Sequence, residues 1–71
     1  MIIKPGLYLH YKNKKYRVLG TGKDSDTFEE FVIYEARYNN PKSKLWVKKK
    51  TSFLEEVEIN GKKVPRFKFI S

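Results

Sequence analysis

A chain of 71 residues has room for one domain, and at this length only about 60% of the unfolded surface is buried, so the core is thin. With no cysteine, a disulfide staple, a thiolate metal centre and a thiol nucleophile are excluded. Sixteen basic residues against eight acidic ones leave a net charge of +8, which points to an anionic partner.

The N-terminal stretch MIIKPGLYL is interrupted by Pro5-Gly6 before any apolar run of signal length forms, so no leader is expected. The longest apolar run, Phe31 to Tyr34, is far short of a membrane span. A soluble, cytoplasmic, monomeric protein with no membrane contact is the expectation.

LYLHYKNKKYRVLG, residues 7–20, alternates with period two and reads as a hairpin. With Asn13-Lys14 as its tip, His10 faces Arg17 and Leu9 faces Val18. That register puts Leu7, Leu9, Tyr11, Tyr16 and Val18 on a core face, and Tyr8, His10, Lys12, Lys15 and Arg17 on a wet one. Lys14 is an awkward residue at positive φ, which leaves a slightly longer loop open.

GTGKDSDT then reads as a loop. In FVIYEARY, Val32, Ile33 and Tyr34 favour a strand, covered on both faces, over a rival helix from Thr27 to Arg37. NNPKSK turns the chain into LWVKK, where Leu45 and Val47 share one face and Trp46 and Lys48 the other. Ser52-Phe-Leu-Glu55 has capping-box spacing and predicts one helical turn. VEI-NG-KKV is the clearest hairpin, since Asn60-Gly61 supplies both positive-φ positions of a tight turn. Pro65 breaks the last strand or marks an edge, after which Phe67 and Phe69 alternate with Arg66 and Lys68. The pattern predicts an all-β fold, or β with one short helical turn: a small, strongly bent antiparallel β-barrel of five or six strands spanning residues 1–71.

Several of these stretches carry a resemblance. In order, Pro5-Gly-x-Tyr8-x-His10-Tyr11-Lys12, Tyr16-x-Val18-Leu19-Gly20, Val32-Ile33-Tyr34, Leu45-Trp46-Val47 and Pro65-Arg66-Phe67 resemble a bacterial family of uncharacterised small proteins, domain of unknown function number 1653. The match runs from Pro5 to about Ile70. It implies a compact SH3-like barrel and no activity. The chain departs from the family pattern at Asp24-Ser-Asp-Thr27, where the pattern has His-Ser-Glu-Thr, and at Lys48-Lys49, where it has Arg-Pro.

The sequence argues against an enzyme. His10 is the only histidine, and the hairpin register sets Arg17 across from it, which disfavours the imidazolium a general base must become. Numbering an EF-hand loop from Asp24 puts Phe28 at a ligand position and Glu29 where the turn needs glycine, so that motif is absent. An Asx turn is the plainer reading of DSDT. No cofactor or metal is expected.

Charge is the stronger signal. Residues 1–23 carry six basic groups and no acid, as do residues 37–50, while the acids gather in Asp24 to Glu35 and Glu55 to Glu58. In a barrel this can pool into a phosphate-binding patch. The expected function is therefore a non-catalytic module for RNA or single-stranded DNA. Lys12, Lys15, Lys48 and Lys49 would neutralise phosphates, Arg17 and Arg66 would orient them, and Tyr8, His10 and Trp46 would stack on bases.

Against this stands the lysine excess, thirteen of the sixteen cations, which also suits edge protection. Trp46 suits a core better than an exposed stacking role, and Arg66 equally suits a salt bridge to Glu55, Glu56 or Glu58. A protein or peptide interaction module is the alternative, followed by a small anionic ligand held by His10, Arg66 and the Asp24–Thr27 loop.

Overall fold

The computed structural model describes residues 2–71. The elements run β1 (Gly6–His10), β2 (Lys14–Lys23), β3 (Glu30–Ala36), β4 (Leu45–Lys49), α1 (Lys50–Phe53), β5 (Glu56–Ile59), β6 (Lys62–Pro65) and β7 (Phe67–Phe69). Five strands form an antiparallel sheet in the order β4-β3-β2-β1-β7, and β5-β6 form a separate hairpin. The fold is the expected β-rich one with a single helical turn, but it has seven strands instead of five or six. Pro65 ends β6, the chain turns at Arg66, and β7 pairs with β1 instead of extending the hairpin. The outer strands β4 and β7 do not pair with each other. Among the described residues, no helix is long and apolar enough to cross a membrane.

Residues 30–36 are a strand, as their β-branched and aromatic content requires, and not the rival helix. Its alternate residues Val32, Tyr34 and Ala36 are buried, while Phe31, Ile33 and Glu35 are only half-buried on the other side, so coverage of the two faces is unequal. The Asn60-Gly61 hairpin forms as read: φ is 51° at Asn60 and 78° at Gly61, which gives the strand-matching turn between Ile59 and Lys62. The helical turn starts earlier than the capping-box spacing implies. Its N-cap is Lys49, with no side-chain cap bond, and Ser52 lies inside the turn. The chain coils directly out of β4, which delivers Phe53 to the core at 2% exposure.

The first hairpin corrects the predicted register. His10 pairs with Lys14, Leu9 with Lys15, Tyr8 with Tyr16 and Gly6 with Val18. The connection is a three-residue loop, Tyr11 to Asn13, with Asn13 at φ 67°; it spares Lys14 the left-handed conformation. The slip from the predicted pairing is three residues. Because side chains alternate with period two, an odd slip turns β1 over relative to β2. Tyr8 and His10 therefore share the inner face with Tyr16 and Val18, while Leu7 and Leu9 lie on the outer face beside Arg17 and Lys15.

The core forms where that inner face meets α1 and β7. Ile3, Tyr8, Val18, Val32, Tyr34, Phe53 and Phe67 make up the buried cluster, with Tyr16 and Trp46 packed against it. Phe53 and Phe67 stack at 4.2 Å with their planes 7° apart. Tyr8, Tyr16 and Tyr34 meet one or both of them edge-on, the geometry ring quadrupoles favour. Most of the aromatic residues are thus spent on the core.

Candidate functional site

Where the aromatic layer reaches the surface, it leaves an open bowl of roughly 440 Å³. Val32 pairs with Lys48 and Tyr34 with Trp46, so the inner face of β3 continues onto β4 with an indole and an ammonium. His10 and Tyr16 enter from the first hairpin, Phe67 from β7, and Tyr38, Asn40 and Lys42 from the loop between β3 and β4. Six rings line the bowl, with two lysines and no carboxylate.

The loop wall is held by hydrogen bonds. Lys42 N–H donates to Asn40 Oδ1 (3.0 Å), which directs Nδ2 to Tyr38 Oη (2.9 Å). The Tyr16 and Tyr38 hydroxyls lie 2.6 Å apart. Trp46 Nε1 donates to Ser43 O at 3.1 Å, fixing the indole against the loop. Burial, followed by the Tyr38 hydroxyl, pushes the Tyr16 phenol well up, so the Tyr16 hydroxyl stays protonated near neutrality.

His10 sits edge-on to Phe67 at 4.8 Å and tilted against Tyr11 at 4.5 Å. Its Nδ1 accepts the Lys12 N–H (3.1 Å), leaving the ring proton on Nε2. Burial first, then the charges of Lys12, Arg66 and Lys48, hold its pKa below the ordinary value. The unfolded ring titrates near about 6.5. Between the folded and unfolded values the unfolded chain binds more protons. Stability is therefore whole above about pH 6.5 and falls as pH drops through that value toward the folded one. Thermal unfolding at about pH 7.5 and about pH 5 should show this loss in the native chain and a smaller one in His10→Gln. An equal loss in both would exonerate the imidazole.

Cations gather at this rim. Lys12, Lys48 and Arg66 act on His10, Lys42 lines the wall, and Lys14 Nζ lies 5.1 Å from the Tyr38 ring centre. Among the described residues the four lysines enter no salt bridge, whereas Arg66 Nη2 meets Glu55 at 3.2 Å. Arg66 is thus ion-paired, as the salt-bridge alternative expects, and it remains close enough to depress His10. Its backbone also ties the core together, its N–H donating to Glu55 O and its carbonyl accepting from Tyr11 N, both at 3.0 Å.

Of the residues singled out from the sequence, His10, Trp46, Lys12, Lys48 and Arg66 come together. Tyr8 does not: it is 7% exposed, donates its hydroxyl to Lys4 O at 2.7 Å, and belongs to the core instead of a stacking surface. Lys15, Arg17 and Lys49 lie on the opposite face. There Arg17 stands across from Glu35, Lys49 pairs with Glu29 at 3.5 Å, and Leu45 and Val47 are exposed. That face is mixed in charge, whereas the bowl's lining holds two lysines and no carboxylate.

Tyr16, Tyr34, Tyr38, Asn40, Lys42 and Phe67 also line the bowl, although the sequence alone does not mark them for it. The one partial cue is that Val32, Tyr34, Ala36 and Tyr38 continue one period-two row. The Asp24 loop is the expected Asx turn, its Oδ1 accepting from Asp26 N at 2.8 Å and Thr27 N at 3.1 Å. These two bonds hold the Asp24 carboxyl below its usual value. Next to it Phe28 is 71% exposed at φ 63°, an uncommon conformation for an aromatic residue. Among the described residues, no group of three or more histidine, cysteine or acidic side chains could hold a metal ion.

The profile of a family described as protein of unknown function, DUF1653, matches residues 6–69. A crystal structure of a protein belonging to that family, from Bordetella bronchiseptica, superposes with a TM-score of 0.90 at 28% identity, covering 96% of this chain and 87% of the other. Comparison with curated proteins finds no match.

Proposed function

The chain belongs to the DUF1653 family, and from its aromatic bowl we propose that it is a non-catalytic, cytoplasmic binding module for RNA or single-stranded DNA. One observation carries this reading: six rings and unpaired lysines converge on one concavity without a lining carboxylate. A base splayed out of a single strand offers a flat π-face to the rings, while its phosphates meet Lys12, Lys14, Lys42 and Lys48. Duplex bases, already stacked, cannot enter. The same cations argue against a quaternary-ammonium cage, which needs rings without positive neighbours.

Fluorescence anisotropy with labelled single-stranded RNA tests the proposal. Neutralising four phosphates should give a log–log salt slope of about −3. Absence of saturable binding at about 100 mM salt would overturn it.

A second reading, protein docking by strand addition along β4, is supported by that unpaired edge with Leu45 and Val47 55% and 63% exposed. Val47→Lys separates the two: it should leave RNA binding unchanged under the first reading.

A further inference from the structure

We propose that the free edge of β4 docks an acidic peptide segment, which adds to the sheet antiparallel with acidic residues opposite Lys49 and Lys48 and apolar residues opposite Val47 and Leu45. The inference rests on the strand-addition reading and specifies its partner.

The backbone on that edge is free to bond. Among the described residues no strand pairs with β4 on the side away from β3. Ala36 N–H donates to Lys44 O at 2.7 Å, one step beyond the Glu35–Leu45 pair, so Ala36 and Lys44 form a bonded pair. Bonded and non-bonded pairs alternate along an antiparallel ladder. Trp46 and Lys48 therefore turn their backbone groups toward β3. Leu45 and Val47 turn theirs to the open side, followed by the Lys49 N–H. Ser43 Oγ donates to Leu45 O at 2.8 Å, which takes one lone pair of that oxygen and leaves the other.

Side chains decide what can use these groups. Leu45 and Val47 stand exposed on the outer face, and Val47 lies beside Ile33 of β3. An apolar residue facing Val47 would extend that row and cover area now in water. Lys44, Lys48, Lys49 and Lys50 cluster on and around the strand. Among the described residues Lys49 meets Glu29 and Lys50 meets Glu30, while Lys44 and Lys48 enter no salt bridge. The edge is therefore positive. Edge lysines repel a second copy of the same edge, whereas a strand bearing carboxylates gains from them.

Direct opposites in an antiparallel pair share a face. One carboxylate thus reaches Lys49 on the outer side and the other Lys48 on the inner side. From its N-terminus the partner reads acidic, acidic, apolar, any residue, apolar.

Fluorescence anisotropy with the labelled, end-capped peptide Ser-Glu-Glu-Val-Thr-Ile-Ser tests the proposal. It should bind at least about ten-fold more tightly at about 100 mM salt than its counterpart with lysine for both glutamates. Methylating the valine amide, which would donate to Val47 O, should abolish binding. Methylating the threonine amide, which points away from β4, should cost little. Val47→Pro removes an outward N–H and no ladder bond, so the chain should fold and lose the peptide. A folded variant that still binds would overturn the proposal, as would equal effects of the two methylations. The methylated peptides act on the unaltered chain and decide the matter should that variant fail to fold. Equal or tighter binding of the lysine peptide would overturn the acidic preference and leave strand addition standing. No saturable binding of either peptide up to about 1 mM would remove the strand-addition reading as well.

Discussion

Phe67→Ala should lower the unfolding free energy by about 3–5 kcal/mol. A domain of this size has about 4–11 kcal/mol in total, at roughly 0.05–0.15 per residue, so the variant should lose a large share of its stability and, at the lower end of that range, unfold at room temperature. Phe67 lies where the layers meet: stacked on Phe53 at 4.2 Å, edge-on to Tyr34 at 5.5 Å and Tyr16 at 5.8 Å, and 7% exposed. Alanine removes the ring that joins α1 to the floor of the bowl, and rigid aromatic neighbours cannot collapse into the space. Phe67→Leu, retaining most of the volume, should cost much less. Urea unfolding of both variants decides the matter, and a loss below about 1 kcal/mol for alanine would mean that the stack is not central to the core.

Lys48→Glu should weaken single-stranded RNA binding by about ten-fold or more at about 100 mM salt, and further at low salt. Lys48 is half-buried on the inner face of β4 opposite Val32, lines the bowl and is one of the charges that depress His10. A carboxylate there repels phosphate and reverses a local field. The same substitution should raise the His10 pKa, which an NMR titration of the sole histidine reads without ambiguity. The fold should survive, since Lys48 makes no ion pair among the described residues. If His10 shifts upward while RNA affinity stays constant, the bowl does not bind the anion.

The fate of particular residues explains how much was legible beforehand. Trp46 and Lys48 were correctly put on one strand face and Leu45 and Val47 on the other, because alternation within a strand is a covalent consequence of the pleat. Tyr8 lies on the inner face and not the predicted wet one, because alternation cannot say which of its two rows is inside. The pairing partner decides that, and an odd slip reverses the answer. Tyr38 carries no mark in the sequence because its place depends on a hydroxyl 22 positions away, on Tyr16. Lys15 and Arg17 leave the candidate site through the same slip, and Lys49 leaves it because, one residue beyond Lys48, it points to the other face of β4.

Local chemistry was enough to settle the β-rich class, the Asn60-Gly61 turn, the Asx turn at Asp24 and the surplus of positive charge. These depend on backbone sterics, short-range hydrogen bonds and composition, all of which act within a few residues. Strand pairing and the docking of Phe53 and Phe67 decided the rest: which aromatics became core, which were left lining an open bowl, and which cations surround it. Those outcomes come from contacts between distant segments, where burial of apolar area outweighs any preference a single strand expresses alone.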